Sequence, residues 1–210
     1  MMDKTEPTGV ITPELVTLAM NVFDLDLMGL HGVGHWIRVW ENGLALAHHT
    51  PGVNVRVIEL FAWLHDICRV SEGGDIDHGR RAACILNEMG QSDVDYYFSN
   101  TVSPADIWWL IKAIREHRGG LPTTKPATNP TVGVCWDADR LDLARLHNVI
   151  RLDLLSTEAA KTKEMLDWSA ERATRPVVLL PWIRGLVEEQ VAAKAKTEQW
   201  LRNREKRAKS

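Results

Sequence analysis

The chain has 210 residues, 45% of them apolar and 25% charged, with a formal net charge of −3. That length suits one domain with a real core, or one domain with an appended helix, and the charge balance gives no sign of wholesale nucleic-acid or membrane binding. Cys68, Cys84 and Cys135 are too sparse and too irregularly spaced for a disulfide framework. A reducing compartment, the cytoplasm, is therefore expected. Residues 1–12 are polar and lack the apolar stretch of a signal peptide, and no apolar run is long enough to span a bilayer.

Helical periodicity dominates the chain. Thr12-Pro13-Glu14 reads as an N-cap followed by proline at the first helical position, opening a helix to about residue 23. A turn over 28–34 leads into a second helix over 35–48, with Trp36, Ile37, Trp40, Leu44 and Ala47 along one side. A third helix is expected over 53–69, where Val57, Leu60, Phe61 and Leu64 form a buried stripe. Ser71-Glu72-Gly73-Gly74-Asp75 is a loop, and Asp77 caps a helix running to about residue 89. Ser103-Pro104 opens another, with Ile107, Leu110, Ile111 and Ile114 on one face.

Residues 119–131, rich in Gly, Pro, Thr and Asn, are read as a loop before a helix over about 131–146. Ser156-Thr157-Glu158 suggests a short helix start, Pro176 and Pro181 punctuate, and a last helix begins at Trp182. Its basic end, from Lys194 to Lys209, reads as a solvated helix terminus favoured by the helix dipole. No strand pattern and no internal repeat is found. The expected fold class is all-α: a compact helical bundle over 10–180 and a C-terminal helix over 181–210. Nine tryptophans against three Phe and two Tyr are read as packing residues, some of which would line a pocket or an oligomer contact. A homodimer is compatible with the sequence, but no residue demands one.

His65 and Asp66 lie together at the end of an apolar helix, beside Leu64 and Ile67. Two titratable groups there are costly unless hydrogen-bonded or bound to something. A divalent cation of intermediate hardness satisfies both an imidazole nitrogen and a carboxylate oxygen. Further ligands must come from elsewhere: His35 on the preceding helix and Asp139 on a later one are available if the helices pack antiparallel.

Three local motifs follow in order. They are His31-Gly-Val-Gly-His35-Trp-Ile-Arg38-Val39, Leu64-His65-Asp66, and Trp136-Asp137-Ala138-Asp139-Arg140-Leu141-Asp142. Together they resemble the HD superfamily of metal-dependent phosphohydrolases over about residues 30–146. The resemblance implies metal ligation by His35, His65, Asp66 and Asp139. In the family the last ligand is the Asp followed by Arg or Lys and then a large apolar residue, so the resemblance points to Asp139, followed by Arg140 and Leu141. On a helix Asp142 shares its face and would orient a ligand, whereas Asp137 points nearly opposite and would cap the helix, or reach the metal if the helix starts late. His31, one turn before His35, is read as a pocket residue contacting substrate, or as a histidine at a helix start. His48, His49 and His147 are read as structural or surface residues.

Around this core, Asp77-His78-Gly79-Arg80-Arg81 places a histidine and two arginines at a helix N-terminus, where amides, dipole and guanidinium forks favour phosphate. His78 would orient the phosphate, and Arg80 or Arg81 would bind it; adjacent on a helix, the two arginines cannot both face the site. His117, at the end of its helix, would donate a proton to the leaving oxygen or complement the helix C-terminus. Lys112 on the same helix faces solvent. One departure stands out: several nucleotide-cleaving HD enzymes carry a carboxylate three residues after the dyad's aspartate, and here that position is Arg69. Arg69 can bind phosphate but cannot act as that acid; Glu72 can substitute only if its loop folds over the site.

The implied activity is hydrolysis of a phosphate ester or anhydride, probed best with nucleotides, the family's commonest substrates. The cofactor is a divalent metal ion drawn from Mn, Co, Ni, Fe, Zn or Mg, and the partner is a small phosphorylated substrate. Two alternatives stay open: a non-catalytic, metal-bound nucleotide-sensing module, motivated by the missing carboxylate, and a di-iron oxygenase of HD type. The second would need extra ligands, for which His31, His78 and His117 are available, and an iron content near two per chain.

Overall fold

A computed structural model describes residues 5–98, 101–117, 126–146 and 150–208. It is all-helical, with no strand among the described residues. The elements in chain order are α1 (Pro13–Val22), α2 (Val33–His48), α3 (Val55–Leu64), α4 (His78–Glu88), α5 (Gln91–Phe98), α6 (Pro104–Glu116), α7 (Pro130–Leu141), a 3-10 helix (Asp142–Leu146) and a short one (Leu152–Leu154), then α8 (Glu158–Lys161), α9 (Lys163–Thr174) and α10 (Pro181–Ala208).

The caps fall where the sequence chemistry asks for them. Thr12 accepts from the Leu15 amide with Pro13 at the first helical position, and Ser103 and Asp106 form a reciprocal capping box at α6. The Asn54 side chain caps α3, its amide donates to Asp106 on α6, and its backbone N–H donates to Thr131 on α7. One residue thus ties the starts of three helices together.

The centre of the fold is α2, α3, α6 and α7 packed on one another, with α4 laid against α6 and α1 against α10. Trp36, Trp63, Phe23 and Phe61 are fully buried in the shared core. Asn42, itself buried, donates to the Ala138 carbonyl. At Gly43 a Cβ would lie 2.5 Å from Ile58 Cγ2, so α2 and α3 approach more closely there than a side chain allows. Trp40 lines a second, largely apolar cavity against Thr5, Pro7 and Leu180, while Trp108 and Trp200 are exposed.

Several boundaries differ from expectation. α3 stops at Leu64, five residues short, because residues 65–68 turn and the Arg69 amide donates to the Asp66 carbonyl in an i to i+3 bond. α5 had no signal strong enough to read: its periodicity is weak and only Phe98 is buried. The expected helix over 131–146 is α-helical only to Leu141 and then tightens to 3-10. Most of the expected loop over 119–131, as well as His147, lies outside the described residues.

Candidate metal centre

His35 points inward from the first turn of α2. His65 and Asp66 sit in the turn that ends α3, and Asp139 comes from the third turn of α7. These residues converge. His35 Nε2 is 3.1 Å from His65 Nε2, 3.5 Å from Asp66 Oδ2 and 3.4 Å from Asp139 Oδ1. His65 Nε2 lies 3.7 Å from each of the same two oxygens. Donor atoms about 2.1 Å from one ion lie about 3.0 Å apart at adjacent octahedral corners and about 3.4 Å apart at tetrahedral ones. The spacing fits a divalent cation.

A second group shares Asp66. Its other oxygen, Oδ1, is 3.0 Å from His78 Nε2 and 3.7 Å from His117 Nε2, and those two nitrogens are 2.7 Å apart. The two sets, His35-His65-Asp66 and Asp66-His78-His117, are the metal-capable groups found among the described residues, and all five side chains are buried.

The four imidazoles are oriented alike. His35 Nδ1–H donates to Asp142, His65 Nδ1–H to the Phe61 carbonyl, His78 Nδ1–H to the Asp75 carbonyl and His117 Nδ1–H to the Ile114 carbonyl. Each ring therefore has its Nδ1 proton held by oxygen and its Nε2 turned to the centre, the pattern that outer partners impose on metal ligands. Two Nε2 lone pairs facing each other across 3.1 or 2.7 Å repel unless a cation lies between them. The donor chemistry thus fits a bound metal at both groups.

Asp142 is the hinge of this arrangement. Its Oδ2 is 2.6 Å from His35 Nδ1, its Oδ1 accepts from Arg38 Nε at 2.7 Å, and Arg145 Nε lies 3.2 Å from Oδ2. Asp142 therefore orients His35, as the shared face with Asp139 suggested. Asp137 instead accepts from the Ser156 and Thr157 amides and the Thr157 hydroxyl, anchoring the start of α8 away from the centre.

Burial and charge shape the titration of the metal-free site. Burial lowers His65 to about 3. Burial also opposes charge on His35, yet its hydrogen bonds to Asp139 and Asp142 prevail and raise it. One proton shared between the facing rings thus belongs to His35. Burial likewise works against His78, but Asp66 prevails and raises it. Asp66, Asp139 and Asp142 all pay for burial, but the surrounding imidazoles, with Arg38 for Asp142, hold them below the ordinary carboxylate range.

The centre opens into a cavity of about 300 Å³, lined by His31, Asp66, Arg69, Glu72, His78, Asp139 and Arg145 among others. Arg69 Nη1 is 3.5 Å from Asp66 Oδ1, and its Nη2 donates to the Gly73 carbonyl. Glu72 reaches this cavity because its loop does fold over the site, and it pairs with His31 Nδ1 at 2.5 Å.

Two of the arginines expected at the phosphate do not line the cavity. Arg80 is exposed and pairs with Asp77, because on α4 it points roughly 200° from His78. Arg81 turns to the Cys68 carbonyl and to Asp75, holding the loop rather than facing the opening. His78 and His117, expected to orient phosphate and to donate a proton, stand instead at ligand distance from Asp66. The sequence reading missed Arg145. Its one available signal was the spacing Asp142-x-x-Arg145, which puts the two side chains on one side of a helix and eclipses them in the 3-10 helix found here.

The chain matches no known family model, no curated protein and no solved structure.

Proposed function

We propose that this protein is a metal-dependent phosphohydrolase of HD type, whose site takes two divalent cations joined by Asp66 and acts on a small phosphate ester or anhydride. The observation that carries this reading is the Asp66 carboxylate, which offers one oxygen to His35 and His65 and the other to His78 and His117. The first group has four protein donors with Asp139. The second has three, and its Asp66 and His78 line the cavity, which suits a site that keeps positions open for reactant.

Bound divalent ions would supply Lewis acidity toward a phosphoryl oxygen and lower the pKa of an attacking water. The remaining tasks fall to the chain. Arg69, buried at the cavity wall, offsets phosphate charge. His31 and Glu72, paired at the mouth, position the rest of the substrate. The hydrogen bonds at all four Nδ1 atoms would hold each Nε2 turned toward the ions.

The same second donor group favours one rival reading, a di-iron oxygenase, because it supplies the extra imidazoles such a site needs. The two are separated by one experiment. Protein loaded with Mn, Co, Ni, Mg or Fe is assayed for phosphate release from nucleoside mono-, di- and triphosphates and an aryl phosphate, alongside Asp66→Ala. Release with redox-inert metals, lost in the variant, is the expected result. No release with any metal, together with oxygen uptake by the iron form alone, would replace the hydrolase by the oxygenase. Tight nucleotide binding with neither activity would leave the sensing module.

A further inference from the structure

Arg69 and Arg145 line the same cavity from opposite segments, the turn after α3 and the 3-10 helix after α7. Their side chains are only 10% and 8% exposed. In both, the buried Nε–H finds no hydrogen-bond acceptor. Arg145 Nε is 3.2 Å from Asp142 but is not aligned to donate to it. A buried Nε–H without an acceptor is expensive, and two such guanidiniums lining one cavity beside the metal-capable groups point to an anion.

The carboxylates nearby are already engaged. Glu72 is taken by His31, and Asp75 by Arg81 and the Val70 amide. Asp142 faces two guanidiniums, Arg38 and Arg145, besides His35, so one carboxylate answers two fixed positive charges. Arg145 Nη2 donates to the Leu30 carbonyl and Arg69 Nη2 to that of Gly73, so what the protein leaves without an acceptor on each guanidinium is Nε. The metal-capable Asp66, His78 and Asp139 also line the cavity, and its apolar lining is Ile76, Leu143 and Leu146.

We propose that Arg145 is the second anion-binding residue of this cavity, and that Arg69 and Arg145 together grip a dianionic terminal phosphate, which makes the substrate a monoester or a terminally phosphorylated anhydride rather than a diester. The identity of the anion rests on the phosphohydrolase reading. A monoester is close to doubly charged at neutral pH, since its second pKa is about 6, and it presents three oxygens to the two forks. A diester carries one charge and leaves one guanidinium unanswered.

The test is binding of inorganic phosphate and of dimethyl phosphate to the manganese-loaded protein by calorimetry, with metal content measured on the same samples. Wild type should bind phosphate more tightly than dimethyl phosphate. Arg145→Gln should weaken phosphate about tenfold or more and narrow that preference, with metal content unchanged. Arg145→Lys, which keeps charge but not the fork, should lose less. The proposal is overturned if Arg145→Gln binds phosphate as wild type does, or if wild type binds neither anion or does not distinguish them. It also fails if both variants lose metal, because Arg145 would then act only through Asp142. Phosphate binding that depends on Arg145 without any hydrolysis would sink the hydrolase and keep this inference. Metal-dependent hydrolysis with unchanged phosphate affinity in Arg145→Gln would do the reverse.

Discussion

Each buried imidazole at the centre owes its ligand geometry to an oxygen behind it, and the oxygens differ in kind. Three are backbone carbonyls of Phe61, Asp75 and Ile114, which no side-chain substitution removes. The fourth is the Asp142 carboxylate behind His35. Asp142→Asn keeps the shape but removes the charge that holds the His35 Nδ1 proton and pairs with Arg38. Metal affinity should fall about 10–100-fold, the range seen for such outer partners, while Asp137→Asn, whose partners are the Ser156–Thr157 turn and Arg140 rather than any donor of the centre, should leave affinity unchanged. Competition with a metal-sensitive dye measures both. Equal affinities in Asp142→Asn and wild type would remove Asp142 from the centre.

At the scale of elements, the second donor group depends on how close α4 comes to the end of α6. Gly79 follows His78, and a Cβ there would lie 2.3 Å from the Ile114 carbonyl oxygen and 2.7 Å from His117 Cε1. Both neighbours belong to the segment that carries His117, and the carbonyl cannot rotate away. Gly79→Ala must therefore push α4 outward and part His78 from His117, at a cost of about 1–3 kcal/mol. The first group, built on α2, α3 and α7, does not pass through that contact. Metal analysis should show bound ions per chain falling from about two toward one. A variant that keeps full stoichiometry would show that α4 can shift without disturbing the site.

For the whole molecule, the candidate centre is where α2, α3, α4, α6 and α7 meet, so a metal bound there would be coupled to the stability of the fold. At an excess of about a thousand Kd each bound ion would add about 4 kcal/mol, and removing even one should lower the thermal midpoint by roughly 10 °C. The pH dependence has a definite sign. His35 and His78 are raised above 6.5 in the metal-free fold. The stabilisation they contribute is fully present below pH 6.5 and is lost as pH rises through their folded values. His65, lowered to about 3, acts in the opposite sense between pH 3 and 6.5. Metal must displace the His35 and His78 protons, so its affinity should climb over the interval in which their contribution to the metal-free fold fades. Thermal melts from pH 6 to 9 should show the gap between metal-loaded and chelated protein widening with pH. A constant gap would mean that these histidines do not compete with metal for a proton. The outer elements are remote from this coupling: α10 docks on α1, where the Gln190 amide donates to Asn21, and no helix among the described residues is long and apolar enough to cross a membrane.

Much was legible along the chain because the physics there is local. Helix periodicity, N-caps at Thr12 and Ser103 and the Gly-rich 71–75 loop depend on neighbours a few residues away, and they placed most of the elements of the all-α fold. The cost of burying His65 and Asp66 after an apolar stripe marked the centre, and the helical phase separated Asp139 and Asp142 from Asp137. What local rules could not supply is which partners meet across long separations. That His78 and His117 close on the free oxygen of Asp66 follows from the glycine-tight contact of α4 with α6. That Arg145 rather than Arg80 or Arg81 lines the cavity follows from a turn of α-helix tightening to 3-10 where α7 ends. The sequence by itself determined the all-α class and most of the helices and singled out four candidate donors; only tertiary packing decided the second donor group and the cations of the cavity wall, because both arise from contacts between segments whose approach no short-range preference specifies.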